Sequence, residues 1–400
     1  MITLKKFLSL LTSRERNRVG LLLIMMLIVA FFEMLGVASI LPFMSVLTNP
    51  DLIETNEILN FMFKTSKEYG IENSQQFLFV LGIIVFVLLV ISLLFKAITA
   101  YTQVRFVQMI NYSISKRLIE DYLYQPYSWF LSRNSADLGK TILSEVATVV
   151  GGGVKPLMEI ISKGIITFTL IVLLIIVNPK LTIIVCFSLG GTYIILFYII
   201  RSFLDRIGKE RLKSNQSRYI AVSEAFGASK EVKVGGLEQT FIKQFSNSAK
   251  TFAQTQASVS VLGQLPRFFL EAIIFGGMLI IILSTIGKSE SFISILPIIS
   301  LYAFAGYRLL PALQHIYASF TQLTFVGPSL DKLYFDIKKL KPFNKNQSQE
   351  ILSFNKFIKL KNICYSYPST SRTTLKDISL SITAGSTVGI VGSTGSGKTT

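Results

Sequence analysis

Charge is scarce in this chain. Of 400 residues only 16% are Asp, Glu, Lys or Arg, against about 25% in an average globular protein. So little polar surface excludes a water-soluble fold, and the 50% hydrophobic content excludes a disordered one. Cysteine is nearly absent: Cys186 and Cys364 cannot build a disulfide framework. Histidine occurs once, which leaves no histidine-based metal centre to assemble. Acidic residues are the rarer sign, 23 against 40 basic ones, for a net charge of +17. On its own that excess fits either nucleic acid or a membrane surface. With 31 phenylalanines and a mean hydropathy of +0.54, it points to a membrane protein with basic cytoplasmic parts.

Six apolar runs reach the roughly 20 residues that a helical span needs. They cover residues 19–43, 77–100, 160–177, 181–200, 268–286 and 292–316. Asn178-Pro179-Lys180 separates the third from the fourth, and Lys288-Ser289-Glu290 the fifth from the sixth. The first run follows a basic N-terminus but is too long for a signal peptide and lacks a small-residue cleavage site. It reads as a retained span. Lys5, Lys6, Arg14, Arg16 and Arg18 precede span one, and ten Lys or Arg lie between Arg201 and Lys250. The connection between spans one and two carries more acid than base. The positive-inside bias therefore predicts both termini in the cytoplasm.

Residues 101–155 and 202–266 are polar, helically periodic and too long for simple loops. They predict cytoplasmic extensions of spans two to five, joined pairwise at Tyr124–Ser135 and Glu224–Glu238. The external segment Leu52–Phe63 reads either as a short amphipathic helix or as a loop. After about Leu340 the composition changes. Residues 341–349 form a polar linker, and from Glu350 the chain alternates as strands do, with candidates at Phe357–Tyr365 and Leu375–Ile382. Thr387–Val391 reads as a buried strand. The expected division is 1–340, a six-span membrane domain, 341–349, a linker, and 350–400, the opening of a soluble α/β domain.

Directly after that apolar run stands Gly392-Ser393-Thr394-Gly395-Ser396-Gly397-Lys398-Thr399. This is the GxxxxGK[ST] loop. Glycines let the backbone curl so that its N–H groups face phosphate oxygens. Lys398 is placed to neutralise the β- and γ-phosphates, and the Thr399 hydroxyl to ligate Mg²⁺. Thr400 completes the stretch, where a following helix would present its N-terminal dipole. ATP and Mg²⁺ are the expected cofactors.

These features together resemble an ABC exporter: a mainly α, six-helix membrane domain with long cytoplasmic extensions, then the first strands and P-loop of the nucleotide-binding domain. The resemblance covers essentially the whole chain. It implies that Tyr367, in Tyr365-Ser366-Tyr367-Pro368, stacks on adenine, against the alternative of a strand-end core aromatic. It also implies that the two joints are the coupling helices that dock on nucleotide-binding domains, and that two copies work as a homodimer. Thr400 ends the sequence one residue past the loop threonine. A complete domain would continue with a Walker-B carboxylate, a signature motif and a switch histidine. No catalytic residue is therefore assigned, and the chain as it stands is expected to be a fragment or truncated frame that does not hydrolyse ATP.

Ionisable residues inside spans are costly and mark function or packing. Glu33, Lys96, Glu271 and Arg308 are such residues, with Arg267 beside Pro266 at the start of span five. Glu159 and Lys163 stand a turn apart and can pair. One reading has Lys96 and Arg267 reaching to the interface and Glu33, Glu271 and Arg308 as interhelical pairs. The other has Lys96, Arg267 and Arg308 lining a cavity that draws in an anionic head group. The segments Phe32–Ala38, Pro266–Glu271 and Ala305–Pro311 look most like the lipid-linked oligosaccharide flippases of this family. That likeness implies a polyprenyl-pyrophosphate glycan as substrate and the bacterial inner membrane as location. Exporters of drugs, peptides or simple lipids remain alternatives, as does a membrane sensor that binds ATP without turnover. Nucleic acid is not expected, because the basic loops alternate with acids and the orientation bias accounts for them.

Overall fold

The computed structural model describes residues 2–50, 53, 56–67, 73–286, 292–340, 354, 356–367 and 373–400. Six long helical rods dominate it: α2 (Ser13–Thr48), α4 (Ser74–Leu123), α6 (Ser135–Val177), α7 (Pro179–Gly227), α9 (Glu238–Ile286) and α10 (Phe292–Lys339). Shorter helices are α1 (Ile2–Leu10), α3 (Glu57–Lys67), α5 (Tyr127–Leu131) and α8 (Ser229–Gly235). Each rod contains one of the six apolar runs. Among the described residues α2, α4 and α6 meet the length and hydropathy of a span outright.

Local chemistry sets the rod ends. Thr12 opens α2 with a capping box: its hydroxyl accepts from the Glu15 N–H, and the Glu15 carboxylate accepts from the Thr12 N–H. Asn178 alone separates α6 from α7, and Pro179 starts α7 where a missing N–H costs nothing. α4 turns into α6 through α5, within the predicted joint Tyr124–Ser135. α7 turns into α9 through α8, within the joint Glu224–Glu238, where Gly236 takes the left-handed conformation that ends α8. Of the segment Leu52–Phe63, residues from Glu57 on belong to the helix α3 rather than to a loop. Its Leu59 is buried with Val46, Phe77 and Leu81.

The rod α10 lies at the centre, packed against α6, α7 and α9 and against the Ile40–Thr48 end of α2. α2 also packs on α4 and α6, and α7 runs beside α9. Besides the cluster around Leu59, two apolar cores join the rods among the described residues. One joins Val29, Val37, Ile166, Leu170, Leu301 and Ala305 within the apolar runs. The larger lies in the extensions, where Phe7 of α1 meets Leu22, Ile114, Val149, Leu204 and Phe325. Outside these cores the apolar runs stay apolar: Phe79, Phe86, Leu94 and Ile98 of α4 are all exposed. Such a surface is stable against hydrocarbon, not water.

At α7 and α10 the backbones nearly touch, because a Cβ on Gly208 would collide with the Phe325 carbonyl. The rod α6 holds two π-helical turns, Thr141–Glu145 and Val150–Val154. Each π turn inserts an extra residue and so rotates the face that follows.

Beyond Lys339 the linker 341–349 lies outside the described residues. β1 (Phe357–Tyr365) and β2 (Leu375–Thr383) pair antiparallel, with irregular register between Leu360 and Tyr365. Thr387–Val391 differs from expectation. It joins no strand ladder among the described residues, and Val391 is 93% exposed. A buried strand needs ladder partners on its flanks, and β1 and β2 bond only each other among the described residues.

Candidate functional site

Gly392–Thr400 forms a compact loop whose conformation depends on two of its glycines. Gly395 (φ 81°) and Gly397 (φ 85°) occupy the left-handed region that side chains resist. The Lys398 ammonium folds over the loop and donates to the carbonyls of Gly392 (2.6 Å) and Ser393 (2.8 Å). The Ser396 N–H donates to the Ser393 carbonyl at 3.2 Å, and the Thr400 N–H to the Gly397 carbonyl at the same distance. Gly392 has no room for a Cβ, which would meet the Ser396 hydroxyl. Thr394 sits in the turn, and Thr399 follows Lys398 at the open edge. A curled loop with an exposed lysine at its mouth and an adjacent hydroxyl fits a nucleotide's phosphates with Mg²⁺. Tyr367, 33 positions earlier, comes to the same place: its hydroxyl lies 3.2 Å from Thr400 Oγ1. Its ring stands edge-on to Tyr365, with centroids 5.1 Å apart.

The second feature lies among the rods. Glu33 of α2 is buried, with 3% of its side chain exposed, and receives two cations. Lys96 Nζ of α4 is 2.8 Å from Glu33 Oε1, and Arg308 Nη1 of α10 is 3.3 Å from the same oxygen. They border a chamber of about 450 Å³. Lys163 lines it too, and its remaining walls are mostly apolar, with Leu89, Leu93, Phe304 and Pro311 among them and Tyr307 beside Arg308. A smaller chamber of about 270 Å³ lies toward the helix extensions. It shares Lys96, Lys163 and Ile166 with the first and adds Thr99, Gln103 and His315.

Of the three expected basic residues, the structure brings Lys96 and Arg308 together and leaves Arg267 apart. Arg267 is 54% exposed on α9 and its Nε donates to Glu271 at 2.7 Å, one turn along the same helix. A partner so near in sequence holds the guanidinium on the outer face of α9. The expected Glu159–Lys163 pair also differs. Glu159 faces Lys155 at 3.9 Å and accepts from the Ser319 hydroxyl at 3.2 Å, so Lys163 is left to the chambers.

Sequence reading by charge alone missed Thr99, Gln103 and Lys163 as wall residues. The signal was there in the spacing. Positions 96, 99 or 100, 103 and 107 of α4, and 155, 159, 162 and 166 of α6, each repeat at three and four residues and so share one helix face.

The ABC transporter transmembrane region family matches residues 19–310. Among curated proteins, the chain is 25% identical over 295 residues to an ATP-dependent lipid A-core flippase of Wigglesworthia glossinidia brevipalpis, covering 72% of this chain and 49% of that protein. It is 24% identical over 290 residues to the protein of the same name from Pseudomonas fluorescens (strain Pf0-1), covering 71% and 47%. The chain thus spans about half the length of the curated relatives it matches. Among solved structures, a bacterial Atm1-family ABC exporter with ATP bound superposes with a TM-score of 0.64 at 16% identity, covering 96% of this chain and 64% of that one. At that identity the likeness concerns the fold. With the family matched across most of the helical part, and the same fold across nearly all of the chain, this protein belongs to the ABC transporters.

Proposed function

We propose that the chain is the membrane part, and the opening of the nucleotide-binding domain, of an ATP-driven exporter that flips a lipid with an anionic head group. One observation carries this: a single chain holds both a GxxxxGKT loop and a chamber of about 450 Å³ among the rods, lined by cations as well as by apolar side chains. A chamber of such mixed lining suits part of an amphiphile, with its charge at Lys96 and Arg308 and the start of its hydrocarbon among Leu89, Leu93 and Phe304. The names of the curated relatives support a lipid over a drug or peptide. Within that class a polyprenyl-pyrophosphate glycan is the finer reading, because a pyrophosphate offers Arg308 the geometry its planar fork prefers.

In this reading residues 1–340 are the membrane domain, 341–349 the linker and 350–400 the opening of the ATP-binding domain. Gly392–Thr400 and Lys398 hold the phosphates, Thr399 reaches Mg²⁺ and Tyr367 faces the adenine. Two copies form a homodimer in the bacterial inner membrane with all termini cytoplasmic. α5 and α8 carry movement from the nucleotide-binding domains into the rods.

The test is the ATPase rate of the complete protein reconstituted in lipid, titrated with a polyprenyl-pyrophosphate oligosaccharide, a neutral glycolipid or a cationic drug. Stimulation by the first alone, abolished by Lys398→Ala, is the expected result. Hydrolysis indifferent to that lipid removes the substrate and keeps the exporter. Absence of hydrolysis favours a sensor that binds ATP without turnover.

A further inference from the structure

Four cations stand near the two chambers in the apolar runs, and their situations differ. Lys96 and Arg308 share the Glu33 carboxylate. Lys155 lies against Glu159, whose other oxygen accepts from Ser319. Lys163 makes no ion pair with any described residue, because the two nearby carboxylates are already engaged. Yet it is the residue that, with Lys96 and Ile166, borders both chambers. A second group is also left over. Thr99 is 5% exposed, its hydroxyl has no hydrogen-bond partner, and it lines the smaller chamber. A buried hydroxyl without a partner costs free energy unless something comes to it.

We infer that the smaller chamber is a phosphate subsite in which Lys163 supplies the charge and Thr99 the hydrogen bond, with Gln103 and His315 completing a polar wall. The inference rests on the lipid-exporter reading for the source of the phosphate, and it moves the main anion contact from Lys96 and Arg308 to Lys163. The electrostatics support that shift. A cation facing a carboxylate at 2.8 Å has much of its field cancelled, whereas one with no carboxylate in contact keeps more of it for a ligand. With Lys96 set against Glu33 and Lys155 against Glu159, Lys163 is the charge left over in these walls, and an anionic phosphate offsets it where a neutral head group does not. The position fits an amphiphile as well. A head group in the smaller chamber leaves the larger, mostly apolar one to the first part of the hydrocarbon chain.

The experiment measures equilibrium binding to the chain in phosphatidylcholine nanodiscs without nucleotide, so that it is independent of ATP turnover. The probes are a radiolabelled polyprenyl pyrophosphate, the corresponding polyprenol and inorganic pyrophosphate. Lys163→Gln is expected to weaken the pyrophosphate lipid about tenfold, as the loss of one charge-assisted contact does, and to leave the polyprenol unchanged. Lys163→Arg is expected to retain binding, and Thr99→Val to cost about threefold by removing one neutral hydrogen bond. Lys209→Gln, on the exposed face of α7, controls for general loss of charge. Unchanged affinity in Lys163→Gln, with the protein monodisperse, overturns the subsite. If the parent binds inorganic pyrophosphate and not the lipid, and Lys163→Gln abolishes this, the subsite stands and the lipid reading falls. If the parent binds neither phosphate probe, the subsite is overturned.

Discussion

Glu33 and Glu145 are both buried carboxylates paired with cations from other rods, yet their surroundings are opposites. Glu145, in the first π turn of α6, is sealed. Arg211 of α7 meets it at 2.8 Å with both side chains only 2% exposed. Asn215 donates to its other oxygen at 2.7 Å, and Arg211 also donates to Ser329 of α10 and Thr148 of α6. The Phe252 ring of α9 covers the cluster, 5.5 Å from Arg211 and 4.0 Å from Arg218. Glu33 offers one oxygen to two cations, and Lys96 remains 43% exposed at the chamber wall. The sealed cluster leaves little bonding capacity for anything else and ties four rods together. The open one keeps capacity to exchange partners. Equal chemistry thus gives a closed cluster in the extensions and an open one among the spans.

Four substitutions test this contrast, from the largest expected effect to the smallest. Arg211→Met leaves Glu145 charged and enclosed, and should lower unfolding stability by about 3–5 kcal/mol. Adding Glu145→Met should restore most of the loss in a thermal-unfolding series. A single-variant cost below about 1 kcal/mol would show that water reaches the cluster.

The second test is the clasp at Asp137. Lys140, fully buried, donates to it at 2.6 Å, and Lys332 of α10 is 3.3 Å away. Burial raises the Asp137 carboxyl, but the two lysines outweigh it and hold it below the usual carboxylate range. With the folded value depressed, the stabilisation is complete above the unfolded value and vanishes as pH falls through the folded one. Asp137→Asn should cost about 2 kcal/mol at neutral pH. The gap between parent and variant should then close as pH drops below about 4.

Glu33→Gln should cost about 1 kcal/mol, since Lys96 is half-exposed at the chamber and the amide oxygen still offers Arg308 an acceptor. Affinity for polyprenyl pyrophosphate should rise, because two cations are released toward the chamber. A stability loss as large as that of Arg211→Met would erase the distinction between the clusters. At the bottom of the scale, Asp205→Asn breaks the exposed pair with Lys209 and should change stability by less than about 0.5 kcal/mol.

The parts of this molecule that are local in sequence could be read from it. Six apolar runs, the Asn178-Pro179 break, the two joints and the glycine loop each declare themselves within one continuous stretch of sequence. Contacts between distant elements could not. Arg211 counts in the sequence as one more basic residue after the fourth run, and nothing near it announces Glu145, 66 positions away. The π turns that bring Ser144, Glu145 and Thr148 toward α7 leave no periodicity to detect. Lys163 pointed to the wrong partner for a related reason. Both Lys155 and Lys163 stand four residues from Glu159, and only the packing of α6 against α10 decides between them. Tyr367 stands close to the glycine loop, where the resemblance of Tyr365-Ser366-Tyr367-Pro368 implied an aromatic, but its contact with Thr400 spans 33 positions and shows only in the fold.

Gly208 has a mechanical meaning. α7 has 49 residues, about 70 Å of helix, and near its middle it rests on the Phe325 carbonyl with nothing but a hydrogen between them. Two long beams touching at one bare point can roll over each other, but they cannot slide without a collision. A methyl group at that point acts as a wedge at a fulcrum: a shift of under an ångström there is magnified along both arms. It reaches the spans at one end and α8 at the other. The smallest kind of residue therefore sets the angle at which one of the protein's long levers stands.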